Sequence, residues 1–279
     1  MSSTIKLSSP ATKEFWEIPV LFEDEHLLAL EKPAGLLTSP DRHDPERVNL
    51  MTLLHSAVTE KKPWARERNL EYLANAHRLD FETSGVLLLA KTKSALIAVA
   101  DLFGADKPVQ TYATLIWGHP LDEKFEVDAK IGPHPLKIGE MRVDSKEGKR
   151  AKSLFEVVEK FSDWSLVRCI PQTSRTHQLR VHLKYASFPV VGDALYGGKN
   201  LWLSRLKRDY RLKPGREEKA LLSRVALHAE ELSLVHPFTN ETIVIKSEWP
   251  KDMRVALKYL RLYAPVGFGA PAVEPDNFE

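Results

Sequence analysis

Apolar and polar positions alternate along the chain in two rhythms, and the switches between them outline the elements. Residues 18–22 and 26–30 (Ile18-Pro19-Val20-Leu21-Phe22 and His26-Leu27-Leu28-Ala29-Leu30) read as two short strands around the acidic turn Glu23-Asp24-Glu25. Lys32-Pro33-Ala34-Gly35 ends the second, since proline removes a ladder donor and glycine permits a tight bend. Residues 38–49 are polar and contain proline, which predicts a loop; apolar residues at 50, 53, 54, 57 and 58 then predict a short helix. The unbroken run Val86-Leu87-Leu88-Leu89-Ala90 fits a strand covered on both faces.

Thr92 is placed to cap a helix over residues 93–103, with Ala95, Leu96, Ala98, Val99 and Leu102 on one face and Gly104 as its stop. Alternation returns over 109–118, and again over 153–158 and 164–170, which predict a hairpin around Lys160-Phe161-Ser162-Asp163. Residues 176–186 fit a helix with Leu179, His182, Leu183 and Ala186 on one side. A last hairpin is predicted over 229–235 and 242–247, and a closing helix over 253–263. Hairpins with helices between them predict an α+β fold with a mixed, mostly antiparallel sheet. Residues 1–17 read as an N-terminal tail, 18–263 as a single domain and 264–279 as a C-terminal tail, with no internal repeat.

Composition narrows the class. With 43% hydrophobic and 28% charged residues, the chain is typical of a soluble globular protein. The single cysteine, Cys169, excludes an intramolecular disulfide or a cysteine metal cluster and favours a reducing compartment. Residues 1–17 hold no apolar segment of the signal-peptide kind, and no run approaches the roughly 20 residues of a membrane span. A cytoplasmic location is therefore expected. A net charge of +2 says little, but its distribution is uneven. From Lys199 to Arg224 nine Lys/Arg face three Asp/Glu, and from Lys130 to Lys152 seven face three. Such stretches fit solvated loops as well as phosphate-binding surfaces.

Candidate chemistry concentrates in His77-Arg78-Leu79-Asp80-Phe81-Glu82-Thr83-Ser84-Gly85, directly before the apolar strand. An acid beside a base at the mouth of a buried strand is costly unless the groups pair or react. A second polar cluster, Arg175-Thr176-His177-Gln178-Leu179-Arg180, opens the helix predicted over 176–186. A carboxylate paired with an arginine suits a nucleophile or general base, although a cap for Asp80 and a structural ion pair for Arg180 fit the residues equally. His77, His177 and His182 lack metal-ligand spacing, and no His-Glu-x-x-His pattern accompanies them. No glycine-rich dinucleotide fingerprint, P-loop or nucleophile elbow is present.

Five segments in order resemble the RluA-type pseudouridine synthases over roughly residues 18–262. They are Lys32-Pro33-Ala34-Gly35, the His77 to Gly85 run, Gln110-Thr111-Tyr112-Ala113, and Arg175 to His182 with Gly192-Asp193-x-x-Tyr196-Gly197. Leu227-His228-Ala229 with His236-Pro237 completes the set. The resemblance implies a pseudouridine synthase core, its sheet flanked by helices and loops, over residues 18–263. It implies an isomerase that flips a uridine of ribosomal or transfer RNA and exchanges its C1′–N1 bond for C1′–C5, without cofactor or metal. It places Asp80 on the catalytic aspartate, Tyr112 on the aromatic stacked against the base and Arg180 on the cation paired with the aspartate. Leu179 falls beside the base, and Arg78 on the arginine that fills the space the base leaves.

Two positions depart from the family pattern. Ser174 stands where glycine is common, which predicts an altered turn. Gln110 stands where lysine is common, which predicts one phosphate or hydrogen-bond interaction fewer. The residues ahead of position 18 are too few for the S4 RNA-binding module of many relatives. RNA recognition is thus expected from the single domain, including the basic stretches, with a monomer as the default and no membrane partner. The competing expectation is an RNA-binding protein or folding chaperone with the same fold and little catalysis. A glycosidase would want two carboxylates, for which Glu82 is the nearest second candidate.

Overall fold

A computed structural model of the chain describes residues 4–41, 44–213 and 215–266. The first part runs β1 (Thr4–Ser8), β2 (Phe15–Glu23), β3 (Leu27–Lys32), α1 (Leu50–Thr59), α2 (Pro63–Glu67), β4 (Ala74–Asn75) and β5 (Ser84–Ala90). Next come α3 (Lys93–Gly104), β6 (Val109–Trp117), β7 (Lys124–Asp128), β8 (Ile131–Pro133), β9 (Met141–Val143), β10 (Lys152–Lys160) and β11 (Trp164–Pro171). The chain closes with α4 (Gln178–Tyr185), a 3-10 turn (Ala194–Tyr196), α5 (Leu203–Leu206), β12 (Leu227–Val235), β13 (Thr242–Lys246) and α6 (Lys251–Tyr263).

The sheet is ordered β1-β2-β3-β5-β12-β6-β11-β10-β7, with β13 added beside β12 and β4 beside β5. Among these described strands only β5 and β12 pair in parallel, over His228 and Ala229; the other pairings are antiparallel, as the hairpin pattern predicts. A separate small hairpin, β8–β9, stands off the sheet.

The continuous apolar run of β5 has a direct explanation. Leu87 and Leu89, with Leu28 and Leu30 of β3, face the larger core built with α1 and α6. Val86 and Leu88, with Leu27 and Ala29, face a second core completed by Ala95 and Val99 of α3. Strand side chains alternate, so a strand covered on both faces has no polar position. Helix α3 starts where expected: the Thr92 hydroxyl accepts the Ala95 amide at 3.1 Å.

The structure corrects the N-terminal tail. Residues 4–8 form β1 against β2, and Ile5 and Leu7 are buried with Ile18 in the main core. The alternation Ile5-Lys6-Leu7 is genuine period two, but too short to separate from a polar tail by pattern alone. At the other end, Ala264 is buried and its carbonyl accepts the Ser162 amide, while Pro265 bridges Phe161. The rest of the predicted C-terminal tail, residues 267–279, lies outside the described residues. No described helix is long and apolar enough to cross a membrane.

Candidate functional site

The loop between β4 and β5 carries Asp80, and its shape is fixed from three sides. Lys32, fully buried at the end of β3, donates to the carbonyls of Pro33 and Thr83 at 2.8 Å and of Phe81 at 3.3 Å. Thr38 donates to the Leu79 carbonyl at 2.9 Å and accepts the Leu79 amide at 3.2 Å. The Gly35 amide reaches the Phe81 carbonyl at 2.9 Å. These bonds engage the loop's own polar groups in its fixation and leave the Asp80 carboxylate directed into a cavity. Burial pulls the Lys32 ammonium down to about 7, with the Asp80 charge opposing that shift.

Behind the loop, Gly85 has φ +114 and passes so close to β12 that a Cβ there would collide with the Ala229 carbonyl. This approach creates the parallel β5–β12 contact and brings Asp80 beside Tyr112 of β6. Tyr112 is buried; burial first, and the Asp80 charge second, push its phenol well above the ordinary value, so it is neutral at pH 7.

Helix α4 supplies the opposite wall. Leu179 and Arg180 line the cavity, both buried. Arg180 Nη1 stands 3.8 Å from Asp80 Oδ2. Its tight partner is Asp193, whose two oxygens take Nε and Nη2 at 2.7 Å each. Asp193 is completely buried and also anchors the 3-10 turn by accepting the Tyr196 amide at 3.3 Å. Tyr196 in turn lies under the Arg180 guanidinium, 4.9 Å from its ring centre. A doubly hydrogen-bonded guanidinium is thus held still next to a carboxylate that faces the cavity.

All five residues predicted for the site, Arg78, Asp80, Tyr112, Leu179 and Arg180, line this one cavity. Arg78 is exposed at its mouth. Asp193 and Lys32 belong to the family-like segments, yet the sequence alone assigned them no role in the site. An arginine on α4 needs a carboxylate, and the Gly192-Asp193 run offered one. Glu82 lies beside Arg224, whose Nη1 approaches its carbonyl at 3.4 Å, and it does not line the cavity.

Ser174 and Gln110, the two departures from the family pattern, both take ordinary places in this fold. Ser174 is not among the left-handed residues; the positive φ falls on His177, at 55°. Gln110 has a partner. His77 Nε2 accepts the Leu88 amide at 3.0 Å, so its proton sits on Nδ1, 3.3 Å from the Gln110 amide. The nearer atom of that amide is Nε2, a second donor, so the amide turned end for end brings its oxygen to accept the Nδ1 proton, an acceptor that lysine could not supply. Burial pulls His77 down to about 4, keeping it neutral.

The basic stretches are partly self-neutralised. Arg224 pairs with Asp252 at 2.6 Å, Arg142 with Asp144 at 2.9 Å and Lys152 with Glu126 at 2.9 Å. Arg205, Lys207 and Arg208 border a cleft at the Trp164 end of β11, opposite the Pro171 end that reaches the Asp80 cavity. Among the described residues no group of three His, Cys, Asp or Glu gathers to hold a metal ion.

Residues 26–185 match a family model described as RNA pseudouridylate synthase. The chain is 35% identical to the ribosomal large subunit pseudouridine synthase D of Nitrosomonas europaea, covering 88% of this chain and 65% of the relative. The chain belongs to the RNA pseudouridylate synthase family. Its likeness to the corresponding Zymomonas mobilis protein is 31%, over 92% of this chain and 78% of that one. The ribosomal large subunit pseudouridine synthase C of Escherichia coli is 33% identical over 87% of this chain and 70% of its own. The chain thus spans between 65% and 78% of these curated relatives. The pseudouridylate synthase fold recurs in the solved human RNA Pseudouridylate Synthase Domain Containing 4. That structure has TM-score 0.64 and 24% identity, over 87% of this chain and 92% of that one.

Proposed function

We propose that this chain isomerises a uridine of ribosomal RNA to pseudouridine, with transfer RNA as the other substrate class expected of it. The observation that carries the proposal is the Asp80 carboxylate, 3.8 Å from an arginine already committed to Asp193, in a cavity shared with a buried tyrosine ring. The names of the bacterial relatives support ribosomal RNA as the substrate.

In this account the target nucleotide leaves its stack and the uracil lies against Tyr112 and Leu179, while Arg78 takes its place in the RNA. Asp80 removes the C2′ proton as the N1–C1′ bond breaks, giving a glycal and a uracil anion. The anion turns and bonds C1′ through C5, and Asp80 returns its proton to C2′. Loss of the C5 proton, with protonation at N1, restores the aromatic ring. Arg180 stabilises the aspartate charge at the start and the end of the sequence. Atoms balance with no co-reactant, so the reaction consumes nothing.

The test is complementation. Ribosomal RNA from cells lacking the gene is mapped for pseudouridine by carbodiimide modification, with the wild-type chain or Asp80→Asn restored. A position modified only with the wild type supports the proposal. Modification by both chains, or by neither in ribosomal and transfer RNA, contradicts it.

A further inference from the structure

His177 stands at a junction. The cavity around Asp80 and Tyr112 meets a second cleft, walled by residues 37–41, Phe81 and the β8–β9 hairpin. The residues common to both are Arg78, Leu79, Asp80 and His177. A base stacked on Tyr112 with its C1′ at Asp80 directs the nucleotide's sugar, and then its phosphate, outward through that junction. Tyr112 lines only the inner cavity.

The protonation pattern of His177 is set by its neighbours. Tyr196 Oη accepts the Met141 amide at 2.9 Å and lies 2.8 Å from His177 Nδ1. Tyr196 is 3% exposed, so its hydroxyl proton needs an acceptor within the protein, and Nδ1 is the one in reach. Nδ1 is therefore unprotonated, and the ring proton sits on Nε2, which meets no protein group among the described residues. Burial lowers His177 below its ordinary value, with Asp80 and Asp193 acting against that shift and Arg180 and Arg78 with it. The backbone at His177 is left-handed, φ 55 and ψ 19, a conformation that histidine adopts more readily than most non-glycine residues.

We propose that His177 is a substrate-binding residue whose Nε2–H donates to a phosphate oxygen of the flipped nucleotide, with Tyr196 as the positioning residue that fixes its tautomer. The proposal rests on the pseudouridine synthase reading. The Met141 bond to Tyr196 also ties the β8–β9 hairpin to this donor, so the wall of the outer cleft and the phosphate contact share one hydrogen-bonded chain.

Nitrogen NMR of histidine-labelled protein tests the tautomer without any variant. His177 is expected to show a protonated Nε2 and bare Nδ1, and a protonated Nδ1 would overturn the proposal. Adding uridine 5′-monophosphate at millimolar concentration is expected to move the Nε2 resonance, while uridine is not. Equal movement with both, or none with either, would overturn the phosphate assignment.

RNA binding to a ribosomal RNA transcript then separates contact from architecture. Loss of a hydrogen bond to a charged group predicts affinity about tenfold or more weaker for His177→Phe. His177→Gln, whose amide nitrogen reaches the Nε2 position, should recover to within about threefold. His177→Asn should not recover, although asparagine is the better left-handed residue. Rescue by Asn and not by Gln would mark a purely structural role. In turnover the loss should fall on KM with kcat within about threefold. Absence of turnover in the wild type would remove the isomerase reading, while the tautomer and the monophosphate response would still decide the donor.

Discussion

Asp193→Asn isolates the interaction on which the site's geometry depends. The substitution keeps the shape of the side chain and removes its charge, leaving Arg180 with an amide NH2 facing one of two donors that now sit at 2.7 Å. Asp193 is 0% exposed and Arg180 5%. Breaking a buried ion pair from one side costs about 3–5 kcal/mol, because the remaining charge has neither water nor partner. Asp80, 3.8 Å away, supplies partial compensation, so the lower end, about 3 kcal/mol, is expected. With a urea dependence of about 3 kcal/mol per molar, the unfolding midpoint should fall by about 1 M. Adding Arg180→Met removes the stranded cation, and the double variant should be at least about 1 kcal/mol more stable than the single one. Urea titrations of the wild type and these two variants by fluorescence measure both quantities. A single-variant loss under about 1 kcal/mol, or a double variant less stable than Asp193→Asn, would refute the reasoning.

Other perturbations probe other links. Gly85→Ala meets both the Ala229 carbonyl and a φ of +114, so a loss above about 3 kcal/mol is expected, seen as insoluble expression or a collapsed melting temperature. His228 is fully buried, its Nδ1 2.9 Å from the Ser84 hydroxyl, and burial pulls it down to about 4. The unfolded chain binds that proton near pH 6.5, so the stability from neutral His228 is present above pH 6.5 and is lost as pH falls toward 4. About 1.5 kcal/mol should disappear between pH 6.5 and pH 5, and His228→Asn should flatten that slope in urea titrations. Charge reversal at Arg205, Lys207 and Arg208 should weaken RNA binding and reduce its salt slope by about one for each phosphate no longer neutralised, and an unchanged slope excludes that cleft.

The elements legible in the sequence were those with a strong local signature. The Thr92 cap, the apolar run of β5 and the hairpins of β10–β11 and β12–β13 each carry their own pattern and lie within a residue or two of expectation. Strand β1 and the short β7, β8 and β9 escaped, since their stability comes from partners and not from their own periodicity. The five residues expected at the site came from motif resemblance, and the fold brings them to one cavity. What the motifs could not convey was the division of labour around Arg180. Asp193 and Asp80 are separated by more than a hundred positions, and only the fold shows that one clamps the guanidinium while the other stands apart from it. The Gln110–His77 contact was hidden for a related reason: it depends on which imidazole nitrogen the Leu88 amide occupies.

The central claim is that Asp80 drives uridine isomerisation, and tritium release from RNA labelled at uridine C5 reads that chemistry directly, because forming the C1′–C5 bond expels the C5 hydrogen. The account predicts release to water by the wild-type chain from ribosomal RNA transcripts, and none by an Asp80→Asn variant that still folds and binds the same RNA. Release by both proteins, or by neither while RNA binding persists in both, would contradict it.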